Sequence, residues 1–136
     1  MRVALITFVP EGDRSSSAIV SKLESGSTSR GNQVEVINGY RDLMNTRLSV
    51  FDYVAVVVRT KGLFNGKVPS RVAEFLSTSG SIAGRKGCAL VAKSGFSSGK
   101  TCKELMKIME REGVKLDYFD IIADEEQAPL IGKKIG

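Results

Sequence analysis

The sequence predicts an α/β protein, a three-layer α/β/α sandwich around a five-stranded parallel sheet. Three observations carry that expectation. Five short apolar runs recur along the chain, helix-capable stretches separate them, and glycine or proline marks many of the joins. Strands alternating with helices form parallel sheets covered on both faces, because each right-handed crossover lays its helix back on the sheet.

The elements follow in order. Residues 3–9 (VALITFV) have the length and uniform apolarity of a strand buried on both faces. Ser15, Ser16 and Ser17 offer N-cap hydroxyls to a helix carrying Ile19, Val20 and Leu23, which frays into residues 25–31. Gln33–Asn38 alternates like a half-buried strand, and a poorly defined connection follows around residues 41–47. Residues 51–58 (FDYVAVVV) give the strongest strand signal, rich in β-branched and aromatic side chains. Pro69 suits the first turn of a helix carrying Val72, Phe75 and Leu76. Residues 87–92 (GCALVA) form another buried strand. Residues 99–113 are the clearest helix: Cys102, Leu105, Met106 and Met109 fall on one face, and Gly113 stands where a closing glycine belongs. Residues 115–123 give the fifth strand, and Asp124 caps a short last helix.

Composition sets limits on function. A chain of 136 residues, 42% apolar and 26% charged, suits one globular domain over residues 1–136. No apolar run approaches the roughly 20 residues that cross a bilayer, and the first residues lack the layout of a signal peptide. With two cysteines, Cys88 and Cys102, both in core-like segments, the expectation is a reduced, cytoplasmic protein. The absence of histidine removes the commonest general base and metal ligand, so any chemistry must come from a bound cofactor or from carboxylates.

In parallel sheets of this type ligands sit beyond the carboxyl ends of the strands, which points to three loops. The first, residues 10–17, opens a helix and combines Gly12, Arg14, Ser15 and Ser17, a set able to hold a phosphate. Glu11 and Asp13 oppose that, and the loop also reads as a polar turn with a serine cap. The second, residues 59–68, holds Arg59, Thr60, Gly62 and Phe64, the last either a cover for a flat ring or a satellite of the core. The third, residues 93–100, holds Ser94, Gly95, Phe96 and Gly99, again glycines, one aromatic and small hydroxyls.

Together, FDYVAVVV with its glycine-containing loop and the VPSRVAEFL helix, then GRKGCALVAKSGFSSGKTCKELMKIMEREGV, resemble the flavodoxin-like family. The likeness runs over essentially the whole chain and implies strand order 2-1-3-4-5. It also implies non-covalent binding of FMN and electron transfer or a small redox reaction, while the chain's own net charge of +5 adds the expectation of an acidic redox partner protein. By that likeness residues 12–17 would hold the phosphate, while residues 59–66 and 94–99 would flank the isoalloxazine, with Phe64 and Phe96 as ring contacts. The family's phosphate pattern is matched here by Pro10-Glu11-Gly12-Asp13-Arg14-Ser15, which keeps the glycine and, with one residue inserted, Ser15.

Two further motifs compete. Ser94 to Thr101 (SGFSSGKT) resembles a nucleotide-binding P-loop with serine for the first glycine, and it favours binding of a phosphate over turnover. Lys100, Lys103, Lys107 and Arg111 form a basic stripe opposite the apolar face of their helix. The stripe reads as a solvated face or as a docking surface for an acidic protein or a nucleic-acid backbone, which gives a flavin-free alternative. No aromatic interleaves with it, which argues against stacking on nucleic acid.

Overall fold

A computed structural model describes residues 1–42, 47–60 and 67–136. The elements in chain order are β1 (Arg2–Phe8), α1 (Arg14–Thr28), β2 (Gln33–Asn38), a 3-10 turn (Leu48–Val50), β3 (Tyr53–Val58), α2 (Ser70–Thr78), β4 (Lys86–Ala92), α3 (Ser98–Arg111), β5 (Lys115–Ile122) and α4 (Ala128–Gly132). The strands form one sheet in the order β2-β1-β3-β4-β5, every pairing parallel, as the sequence predicts.

The sequence pattern explains the order. All six residues of β3 are buried, and β1 and β4 are buried beyond their first residues. These uniformly apolar strands sit in the middle, where helices cover both faces. The strands with mixed patterns, β2 and β5, take the two edges. Alternate residues of the central strands serve two cores. Ala4, Ile6, Phe8, Val54 and Val56 pack with Phe75 of α2 and Leu105 and Met109 of α3. Val3, Leu5, Ala55 and Val57 pack with Ile19 and Leu23 of α1 and Ile131 of α4.

Helix α3 ends as its glycine predicts. Gly113 adopts φ +91°, its N–H donates to the carbonyl of Glu110, and the N–H of Val114 donates to that of Met109. These two bonds satisfy carbonyls that the helix end would otherwise leave open. Helices α1 and α4 meet through glycines: a Cβ at Gly26 would strike the Pro129 carbonyl, and one at Gly132 the Leu23 carbonyl.

Two expectations are corrected. The serine run does not cap α1; Asp13 takes the N-cap position and the serines lie inside the first turn, after which the helix continues without fraying to Thr28. Asp124 does not cap α4 either. Its Oδ1 accepts the N–H of Gln127 in a preceding turn, and Gln127 is the N-cap. Among the described residues no helix is long and apolar enough to cross a membrane.

Candidate functional site

The strand order sets β1, β3 and β4 side by side, so the loops that follow them share one edge of the sheet. One side chain joins all three. Arg59, just beyond β3, donates through Nη1 to Asp13 Oδ2 at 3.2 Å and to Ser16 Oγ at 3.1 Å, and through Nη2 to the carbonyl of Lys93 at 3.0 Å. Asp13 and Ser16 belong to the first loop and its helix, Lys93 to the third loop. The Ser16 hydroxyl closes the cluster by donating to Asp13 Oδ2 at 2.6 Å. Arg59 and Asp13 are both partly shielded from solvent, with side-chain exposures of 19% and 32%. That hydroxyl, and then the Arg59 charge, hold the Asp13 carboxyl below its ordinary pKa.

A second set of bonds fixes the loops after β3 and β4 to each other. The Ser94 hydroxyl donates to the Thr60 carbonyl at 2.7 Å, and the Thr60 and Ser94 hydroxyl oxygens lie 3.3 Å apart. Ser94 has one hydroxyl proton, already committed to the carbonyl, so Thr60 is the donor in the second contact. The Ser94 N–H donates to Ser98 Oγ at 3.3 Å, which ties this loop to the start of α3.

The structure therefore brings Arg59, Thr60 and Ser94 together. Gly12 turns the first loop at φ +78° and Gly95 the third at φ +73°. Phe96 stands out from its loop, 90% exposed, with a whole aromatic face uncovered. Arg14 and Ser17 are exposed and Ser15 is half-buried; none of their side chains joins the Arg59 cluster, although the Ser15 backbone N–H faces the Asp13 carboxylate. Ser17 instead lines a cavity of about 490 Å³ on the β2 side of the first loop, with Thr7, Val9, Val20 and Asn38. Gly99 lines a separate groove of about 250 Å³ between α3 and β5. Gly62 and Phe64 lie outside the described residues. In the P-loop-like stretch the Thr101 hydroxyl donates to the Ser97 carbonyl, and Lys100 is exposed.

Sequence reasoning took Ser16 as a cap hydroxyl within the 12–17 stretch, without its tie to Arg59, and treated Asp13 only as a repulsive charge. A signal for Ser16 existed. It lies three residues before Ile19 and seven before Leu23, on the helix face that packs inward, and it is 1% exposed. Among the described residues no cluster of three or more metal-binding side chains occurs, and Cys88 and Cys102 are buried free thiols.

No family model and no curated protein matches the chain. Solved structures do match in fold. The two-electron reduced flavodoxin of Megasphaera elsdenii superposes with a TM-score of 0.73 at 16% identity, covering 96% of each chain. Flavodoxin 1 from Bacillus cereus gives 0.71 at 14% identity, over 97% of this chain and 95% of that one. A flavodoxin from the domain Archaea gives 0.69 at 17% identity, over 99% and 96%. The chain thus has the flavodoxin-like fold, with β1, β3 and β4 bearing the loop cluster.

The fit of these loops to FMN differs between the two ends of the molecule. Two bridged loops, a turning glycine and an uncovered phenylalanine suit a flat ring. The end that would receive a phosphate fits poorly as built: the Asp13 carboxylate already engages Arg59 and Ser16, and the side chains of Arg14, Ser15 and Ser17 stand apart from that cluster.

Proposed function

We propose that the chain binds FMN non-covalently at the three loops and serves electron transfer or a small redox reaction. The observation that carries this reading is the bridging of the loops after β3 and β4 through Thr60 and Ser94, beside the exposed ring of Phe96. The fold shared with flavodoxins over nearly the full chain supports it. The flavin would supply the electron chemistry; the chain would hold and orient it. The test is a titration of FMN with the purified protein, followed by quenching of flavin fluorescence. Saturable quenching at micromolar protein is expected, weakened by Phe96→Ala; no quenching with protein in excess overturns the reading.

A second reading rests on a different surface. Lys100, Lys103, Lys107 and Arg111 are all exposed, and none forms an ion pair among the described residues. Lys103 also lines the groove of Cys102, Met106, Phe119, Asp120 and Ile121, where Phe119 is 57% exposed. A flavin-free protein would use this face to dock an acidic protein segment with apolar side chains. An NMR titration with a Glu- and Phe-containing peptide would then shift α3 and β5 resonances. Shifts confined to the three loops, or none, count against it.

A further inference from the structure

We propose that Asp13 is a resident anion that takes the place of a ligand's phosphate, so that the loop cluster selects for the ring and against the phosphate. This rests on the flavin reading above and specifies the ligand class at that site.

The geometry makes the competition direct. A phosphate arriving at the start of α1 needs the exposed amides of the first turn, a hydroxyl and a cation. Within the cluster the hydroxyl is Ser16 and the cation is Arg59, and Asp13 Oδ2 engages both, at 2.6 and 3.2 Å. Asp13 is tethered to the same turn, so it meets Arg59 at a high effective concentration that a free ligand must match. Displacing it does not clear the site. The released carboxylate stays within a residue of α1, and like charges set side by side repel. Glu11, exposed on the same turn, adds a second negative charge.

Arg59 has little freedom to serve both anions. Its Nη2 is held by the Lys93 carbonyl at 3.0 Å, so swinging toward a ligand breaks one of the ties between the second and third loops and leaves the Thr60–Ser94 bonds to hold them. Those two loops are the ones that suit a ring. The arrangement therefore sets phosphate binding against one of the bonds that hold the ring-facing loops together. A flavin with a neutral tail, such as riboflavin, avoids the conflict and binds at least as tightly as FMN.

Two experiments on the full chain test this. In the first, inorganic phosphate is titrated into wild type, Asp13→Asn and Glu11→Gln while the amide resonances of residues 12–17 are followed by NMR. Asparagine keeps the shape of Asp13 and frees Arg59, and Glu11→Gln makes the same change in net charge without touching the cluster. The expected result is saturable shifts in Asp13→Asn alone. Equal shifts in wild type, silence in Asp13→Asn, or equal gains in Glu11→Gln overturn the proposal. In the second, FMN and riboflavin are compared by fluorescence quenching. Wild type should bind riboflavin as well as FMN, and Asp13→Asn should shift the preference toward FMN by about tenfold. A wild type that prefers FMN by that factor overturns it. If neither flavin binds, the flavin reading fails, and the phosphate titration still decides whether Asp13 is the competitor.

Discussion

Arg59 joins three loops because a guanidinium presents several donors in a fixed plane, so it bonds a carboxylate, a hydroxyl and a carbonyl at once. The state of Asp13 follows from its place in that set. With its pKa lowered from the ordinary 3.8, the carboxylate stabilises the fold at any pH above that value. The contribution is lost as the pH falls through the lower value of the folded protein. Thermal melts of wild type and Asp13→Asn should therefore differ at pH 7, with wild type higher, and converge below about pH 3.8. A gap that persists in strong acid would exclude this origin. Cys88 is governed by burial instead, which pushes its thiol up to about 12. It should resist a disulfide reagent at pH 8 in the native protein and react fully in denaturant; rapid native labelling would contradict its placement.

At the level of elements, the glycine contact of α1 with α4 is sensitive to change. Gly132→Val places two methyl groups against the Leu23 carbonyl, so α4 must move off α1. Overpacking of this sort costs about 1–3 kcal/mol. The urea midpoint should drop accordingly, and an unchanged midpoint would show that α4 yields freely. The elements were also the most legible part of the chain. β3 and β4 could be read directly because unbroken β-branched and small apolar runs suit only a strand covered on both faces. Helix α3 was legible from its apolar face and closing glycine. The capping of α1 and α4 was not, since serine and aspartate fit several positions around a helix start and the backbone decides among them. Glycine contacts such as Gly26 with Pro129 were invisible because they span the length of the chain. The site was half legible for the same reason. Strand alternation located the loops, but the Asp13–Arg59 bond depends on how β1 and β3 align, and 46 residues separate its partners.

For the whole molecule, charge and topology act over longer distances. Part of the net charge of +5 lies on α3, where four cations stand without ion-pair partners among the described residues. If that face is a docking surface, Lys103→Glu with Lys107→Glu should abolish the response of α3 and β5 to the Glu- and Phe-containing peptide while leaving FMN quenching intact. Loss of both together would point to a folding defect rather than a separate surface.

The strand order has a kinetic consequence. Because every pairing in the sheet is parallel, no two strands close as a local hairpin. Arg2 must find Gln33, and Val3 must find Tyr53, before β1 has either neighbour. Each closure fixes a long loop before its contacts form, so this chain has a high contact order for its size. Until β3 docks, the apolar β1 is an unpaired edge on both sides, and in that interval the chain is most exposed to association with other chains. The same centrality that buries β1 so completely in the native state makes it the strand most at risk before folding is complete.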